Sequence, residues 1–217
     1  ISNGDYATFL TNHDQNRVMS VLNGKEEKAK LAAVMLLTSP GTPFIYYGEE
    51  IGMQGKKPDE DIRLPMQWSA DTNAGFTTGT PWRALDANYA QVNVAAQEQD
   101  PDSLLNLYRT LTKLRAEHSA LSTGNLTVLD TNNAGVYAIL RHDDKETFLV
   151  LINLKGTPMS DYGLSLEEKL FSDGSLSPLS ILDTTQAVSL TISNGIFVDY
   201  KPISELPPYQ SYIFQLK

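Results

Sequence analysis

Residues 11–17 read Thr-Asn-His-Asp-Gln-Asn-Arg and put an imidazole and a carboxylate side by side where the apolar run 6–10 stops. On a strand, neighbouring side chains point to opposite faces, so an adjacent base and acid diverge. At the C-terminal end of a strand the backbone turns, and both can be aimed at one ligand. His13 and Asp14 are therefore candidates for proton transfer or for hydrogen bonding a polar substrate, with Arg17 as a cation close by. In a parallel barrel, such strand ends are where catalytic residues sit. A polar loop with one His and one Asp also serves simply to cap a turn or solvate a surface.

Other candidate groups are fewer. Asp59 and Arg63 lie four residues apart; their plain reading is a surface ion pair of little energetic weight. Glu49 and Glu50 are adjacent carboxylates at another apolar run's end, and such a pair is expected to include one that bonds backbone amides or an arginine. Neither is taken as catalytic. His118 and His142 have no partner nearby in sequence and read as ordinary surface or core histidines. With His13 they form no metal-ligand spacing, and the absence of cysteine excludes disulfides, thiol nucleophiles and Cys-ligated zinc.

Composition sets the outer bounds. The 217 residues suffice for one large or two modest domains, with 41% hydrophobic and 20% charged residues, an ordinary globular balance. The net charge of −9, with no cluster of Lys and Arg, argues against a nucleic-acid partner or an anionic membrane surface. The strongest apolar run, 31–37, is too short to span a bilayer. The chain opens on Ile1 without a signal-peptide pattern, and is expected to be a piece of something longer.

The elements that must position these groups follow from hydrophobic period and turn residues. Residues 6–10 read as a strand and 11–17 as the loop leaving it. A helix is predicted over 25–39, opened by Asn23-Gly24 and closed by Ser39-Pro40-Gly41; its nearly continuous apolar run means cover on most sides. Residues 43–47 read as a buried strand halted at Gly48. Strand, helix and strand at this spacing form a βαβ unit, with parallel strands and a right-handed crossover.

Residues 49–101 show no sustained period, so a long loop is expected there, with Trp68 and Trp82 as aromatic platforms or as staples. A helix capped by Asp102-Ser103 then runs to about Glu117, with Leu104, Leu107, Tyr108, Leu111 and Leu114 on one face. Beyond Ser122, short runs at 127–129, 136–140, 148–152, 179–182, 188–192, 196–200 and 211–216 alternate with turn residues. The turns are placed at Asn132-Asn133, Asp143-Asp144, Asp173-Gly174 and Asn194-Gly195, which indicates an antiparallel sandwich. The boundary is placed near Leu121, giving domains 1–121 and 122–217.

Three motifs in order carry a family resemblance. Asn12-His13-Asp14-Gln15-Asn16-Arg17 looks like the last conserved region of the α-amylase superfamily of glycoside hydrolases, at the end of barrel strand seven. Phe44-Ile45-Tyr46-Tyr47-Gly48-Glu49-Glu50-Ile51-Gly52 resembles its eighth strand. Arg63-Leu64-Pro65-Met66-Gln67-Trp68, with Asn73-Ala74-Gly75-Phe76, is similar to the following loop in the amylase and α-glucosidase branches. The resemblance implies α/β plus all-β architecture: the C-terminal portion of a (β/α)8 TIM barrel followed by an antiparallel β-sandwich.

It further implies a retaining hydrolase of α-glucosidic bonds in starch-type glucans or maltooligosaccharides. Such enzymes use two carboxyl groups flanking the bond. Asp14 would be a third, stabilising the transition state through the sugar hydroxyls. His13 would bond the same sugar, and Arg17 would order the pocket or bind chloride. Asp59 and Arg63 would contact sugars toward the non-reducing end. The nucleophile and acid/base belong to strands four and five, which this chain lacks, so alone it is expected to be inactive. Its partner would be the missing N-terminal part, where many relatives bind calcium; no cofactor or metal is expected in this chain itself. Two strands cannot close a barrel, so the apolar faces, 31–37 above all, are expected to be left uncovered.

The α-glucosidase or oligo-1,6-glucosidase branch and a trehalose-synthase-like transglycosylase are alternatives. In another class stands a non-catalytic carbohydrate-binding or interaction subunit, for which the sandwich offers few stacking aromatics beyond Tyr162 and Tyr209. A polymeric substrate favours an extracellular or periplasmic location, without fixing it.

Overall fold

In the computed structural model of the protein, residues 6–217 are described; Ile1, where the chain opens, lies outside them. The described residues pack as two compact units. One comprises Ala7–Leu37 and Thr42–Leu114; the other comprises Thr38–Gly41 and Arg115–Lys217, with Tyr6. No helix among the described residues is long and apolar enough to cross a membrane.

In the first unit, β1 (Ala7–Phe9) pairs in parallel with β2 (Thr42–Phe44), matching Ala7 to Thr42 and Phe9 to Phe44. The crossover contains a short α1 (Val18–Val21), with no sequence signal strong enough to announce it, and α2 (Glu26–Thr38). Asn23 and Gly24 both adopt left-handed backbone and make the turn that admits α2. The expected strand over 43–47 is shorter at its end than its residue types suggest, because Tyr46 C=O accepts from Glu49 N–H at 3.0 Å and the chain turns.

The expectation that the 31–37 run is left bare is corrected. Leu31, Ala33, Val34, Leu36 and Leu37 are buried. Apolar groups that are exposed include Phe9 and Phe44 on the strands and Ile45 just after β2, at 45%, 58% and 39%.

The long segment after β2 is ordered by short helical turns, each too brief to show a period. They are a 3-10 turn at Glu49–Ile51 and helices α3 (Asp59–Ile62) and α4 (Val94–Glu98), with a tight turn at Thr72–Gly75 in which Asn73 and Ala74 take left-handed backbone. Polar side chains hold it. Gln67 is fully buried and donates to Asn88 Oδ1 at 3.0 Å, and Asn93 caps α4 by accepting from Ala96 N–H at 2.8 Å. Gln97 fastens the segment's two ends together, donating to Ile51 C=O at 2.8 Å and accepting from Leu105 N–H at 3.0 Å.

Helix α5 (Leu104–Glu117) starts where expected, because Ser103 Oγ accepts from Asn106 N–H at 3.2 Å and satisfies one orphan donor. Its buried face is Leu104, Leu105, Tyr108, Leu111 and Leu114; Leu105 takes the place expected for Leu107, which is only half-buried.

The second unit opens with α6 (Ser119–Ser122), followed by β3 (Asn125–Val128), β4 (Val136–His142) and β5 (Thr147–Asn153). Then come β6 (Leu164–Leu166), β7 (Gly174–Leu176), β8 (Pro178–Ser180), β9 (Leu190–Ile192), β10 (Phe197–Tyr200) and β11 (Ser211–Leu216). An antiparallel sheet of order β3-β4-β5-β11-β8 lies with two short antiparallel pairs, β10-β6 and β7-β9. Their inner faces share one apolar cluster, with Leu140, Leu149, Leu151 and Phe214 from the large sheet and Leu164, Leu166, Ile192 and Phe197 from the short pairs. Alternate side chains of facing sheets interdigitate in this way when each sheet buries one face. Strands β6 and β7 carry too little pattern in three residues to be read from sequence, and Gly174 starts β7 instead of forming a turn.

Arg141 and Arg115 are buried cations that serve as backbone clamps. Arg141 donates to Gly124 C=O at 2.9 Å, Asn125 C=O at 3.2 Å and Thr38 C=O at 2.5 Å, while Arg115 donates to Ser39 and Leu121 carbonyls at 2.8 and 2.7 Å. Burial lowers the pKa of both guanidinium groups, that of Arg141 to about 10, where the charge of Arg115 adds to the effect.

Candidate active site

Backbone bonds after β1 and β2 bring two loops together. Arg17 N–H donates to Gly55 C=O at 3.0 Å, Gly55 N–H to Ser20 Oγ at 2.8 Å, and Lys57 N–H to Asn16 Oδ1 at 2.8 Å. The turn itself is an Asx turn, with Asp14 N–H donating to Asn12 Oδ1 at 2.9 Å. His13 and Asp14 thus leave the strand end on the same side, Nε2 to Oδ2 being 3.3 Å.

Arg63 ties this turn to α3. Its Nε donates to His13 C=O at 3.0 Å, and Nη2 reaches both Asp14 Oδ1 at 3.2 Å and Asp59 Oδ2 at 2.8 Å. Lys57 Nζ donates to the other oxygen of Asp59. That hydrogen bond, supported by the charges of Lys57, Arg63 and His13, holds the Asp59 carboxyl below the usual carboxylate range. Four of the five residues singled out from the sequence, His13, Asp14, Asp59 and Arg63, form one cluster at the C-terminal ends of the parallel strands. Asp14 remains open to ligand, its side chain 62% exposed.

Arg17 lies elsewhere, beneath this surface and 1% exposed. Its guanidinium carbon sits 4.6 and 4.7 Å from the ring centres of Tyr46 and Tyr47, and Nη1 donates to Tyr47 C=O at 2.7 Å. Burial lowers its pKa, against the opposing effect of the two tyrosines and Glu50. Tyr47 in turn donates to Leu64 C=O at 2.7 Å, and burial pushes its hydroxyl up to about 12. Arg17 therefore braces the strand ends and does not reach the open face. Its Nε and Nη2 are buried without a hydrogen-bond partner among the described residues.

The two members of the Glu49-Glu50 pair differ in surroundings. Burial raises the Glu50 carboxyl, opposed by the backbone amides of its own residue and Gly48, and its Oε2 is buried without a hydrogen-bond partner among the described residues. Glu49, 3% exposed, bonds neither amide nor arginine: Oε1 accepts from the Tyr108 hydroxyl at 2.9 Å and Oε2 from the Thr11 hydroxyl at 3.2 Å. Burial raises its carboxyl to about 7, with the two hydroxyls pulling the other way. This bridge from the β2 end to Thr11 and α5 was invisible in the sequence, since Tyr108 lies 59 residues away. Lys57 was equally unmarked.

Both remaining histidines have partners that sequence did not show. His118 Nδ1 lies 2.7 Å from Glu146 Oε2, and His142 Nε2 lies 3.1 Å from Thr127 Oγ1. Tyr162 is buried and donates to Ile203 C=O, so it offers no face for stacking a sugar. No group of three or more metal-ligating side chains occurs among the described residues.

Residues 2–124 match the family model for the α-amylase catalytic domain. The chain belongs to the α-amylase family. Among its curated relatives, Alpha-amylase 3 of Dictyoglomus thermophilum is 40% identical over 70% of this chain and 31% of its own length. An oligo-1,6-glucosidase of Heyndrickxia coagulans is 33% identical over 71% of this chain and 35% of its own. The chain thus spans about a third of the length of these α-amylase-family relatives. A crystal structure of the trehalulose synthase MutB from Pseudomonas mesoacidophila superposes with a TM-score of 0.74 at 31% identity, over 97% of this chain and 43% of that one.

Proposed function

We propose that this chain is the C-terminal part of a retaining glycoside hydrolase that cleaves α-glucosidic bonds in starch-type glucans, and that Asp14 is its transition-state-stabilising carboxylate. In this reading residues 1–121 contribute strands seven and eight of a (β/α)8 barrel, and 122–217 form a β-sandwich domain. The observation that carries it is the cluster of Asp14, His13, Arg63 and Asp59 at the C-terminal ends of two parallel strands.

The exposed Asp14 carboxylate can accept hydrogen bonds from sugar hydroxyls that become more acidic as positive charge builds on the ring. Arg63 fixes its orientation before substrate arrives, and His13 supplies a neighbouring polar edge. Asp14 and Asp59 share one guanidinium, which suits anchoring and leaves the nucleophile and acid/base to the N-terminal part. Supporting that partner, β1 and β2 are hydrogen-bonded only to each other among the described strands, and Phe9 and Phe44 stand exposed beside them. Closing such edges with further strands removes both liabilities.

Arg17 orders the strand ends; its two orphaned donors also fit a buried chloride, which would balance the guanidinium charge there. Calcium is assigned to the N-terminal part. Hydrolysis of α-glucans is preferred over the oligo-1,6-glucosidase and transglycosylase alternatives on the similarity to an α-amylase. An open Asp14 at the strand end speaks against a purely binding subunit. In the full-length enzyme, Asp14→Asn lowers kcat on maltooligosaccharides by at least ~10²-fold with the fold unchanged by circular dichroism. Near-normal turnover would leave Asp14 a structural residue, and a parent enzyme that releases no reducing sugar would remove the hydrolase reading.

A further inference from the structure

The Asp14 turn is held from two sides. On its open side, Arg63 donates to the His13 carbonyl and to the Asp14 carboxylate. At its base, Asn12 closes the turn twice: Oδ1 accepts from Asp14 N–H at 2.9 Å and the carbonyl from Gln15 N–H at 3.3 Å. Asn12 is the pivot, and Thr11 before it sets where the pivot stands. The Thr11 side chain is buried, and its hydroxyl donates to Glu49 Oε2 at 3.2 Å. Glu49 is itself fixed: Oε1 accepts from the Tyr108 hydroxyl of α5 at 2.9 Å, and its N–H donates to Tyr46 C=O at 3.0 Å. One carboxyl thus ties the end of β1, the turn after β2 and α5 together.

We propose that Glu49 is a positioning residue for catalysis, fixing through Thr11 and Asn12 the place from which Asp14 meets the substrate. This deepens the function proposed above and rests on it. Three features support it. Glu49, Thr11 and Tyr108 are all buried within one compact unit, so further strands laid against β1 and β2 only bury them more deeply.

The second feature is residue type. Two hydroxyls donate to one side chain, and a carboxylate accepts on both of its terminal oxygens. A glutamine would accept on one and present N–H groups to the other hydroxyl. The third is energetic. Burial raises the Glu49 carboxyl, so the fold disfavours its charge, and an uncharged side chain here would fold more readily at neutral pH. Perturbed carboxyls of this kind cluster at functional sites. Here the carboxyl stands at the root of the candidate catalytic turn.

The test uses the full-length enzyme on maltooligosaccharides. Thr11→Val replaces the hydroxyl with a methyl of the same shape. It is expected to lower kcat about tenfold with KM within about twofold, because Asp14 acts in the transition state. Thr11→Ser keeps the hydroxyl and is expected to recover most of that loss. Glu49→Gln turns N–H toward Thr11 and is expected to lower kcat likewise, with thermal unfolding showing a fold no less stable than the parent. The decisive readout is coupling to Asp14. Added to Asp14→Asn, either Thr11→Val or Glu49→Gln is expected to cost less than about a further twofold, since the group they position is already gone. Losses that multiply in full overturn the positioning role, as does a Thr11→Ser no more active than Thr11→Val. Should Thr11→Val not fold, Glu49→Gln alone carries the coupling test. Lost turnover in Asp14→Asn beside parent-like kcat in Thr11→Val and Glu49→Gln would remove the positioning role alone. Normal turnover in Asp14→Asn would remove the role given to Asp14, on which this one rests.

Discussion

Replacing Glu49 with Gln changes how stability depends on pH, and the structure sets both sign and size. Glu49 is buried between the hydroxyls of Tyr108 and Thr11, with Glu50 and Arg17 as the nearest other charges, and its carboxyl is raised from an ordinary 4.5 to about 7. An acid whose folded pKa exceeds its unfolded value holds its proton more tightly in the folded protein. Its contribution is most favourable below about 4.5, falls as pH rises, and levels off above about 7. At about 1.4 kcal/mol for each pH unit, the interval corresponds to about 3 kcal/mol. The amide that Glu49→Gln introduces is neutral throughout and keeps an acceptor for Tyr108. Urea unfolding of parent and Glu49→Gln at intervals from pH 4 to 8 is expected to give equal stabilities at the acid end. Above pH 7 the variant is expected to be more stable by up to about 3 kcal/mol. A difference that stays constant over this range refutes the argument, as does a ¹³C carboxyl titration placing Glu49 near 4.5.

Two further substitutions probe backbone and clamp. Gly48→Ala places a Cβ at φ 79° and against Met53 Sδ, so thermal unfolding is expected to show a loss of at least ~1–2 kcal/mol with a displaced Met53. Arg141→Met keeps bulk but withdraws the guanidinium donors from the carbonyls of Thr38, Gly124 and Asn125. Denaturant titration is expected to show a loss on the order of 3 kcal/mol, and stability within experimental error of the parent would mean that water replaces the guanidinium.

What the sequence made legible was local. Helix α5 begins where the Ser103 cap and the leucine spacing put it, and β11 coincides with the expected 211–216 run, because capping and alternation act over a few residues. The Asp59–Arg63 pair was readable as an i,i+4 spacing, and its link to Asp14 only as part of a family pattern. Arg17 was not readable as a buried brace, since that depends on Tyr46 and Tyr47 arriving from 30 residues away. Glu49 with Tyr108 and Arg141 with Thr38 join residues 59 and 103 apart, distances at which composition and period carry no information. Tyr162 shows the converse: an aromatic next to Gly163 in a turn-rich stretch reads as exposed, yet a carbonyl for its hydroxyl lies inside the unit.

The Gln97 fastening has a consequence for how such a protein can diversify. One side-chain amide holds Ile51 and Leu105 together, so the ends of the intervening stretch are fixed to each other before the stretch itself is considered. A closed loop tolerates added length cheaply, each doubling costing only about 0.6 kcal/mol. The exposed residues 78–80 are the place for such added length, since Gly55, Lys57 and Arg63 in the same stretch hold the Asp14 turn. Insertions or deletions there can reshape what the molecule grips while β2 and α5 keep their places.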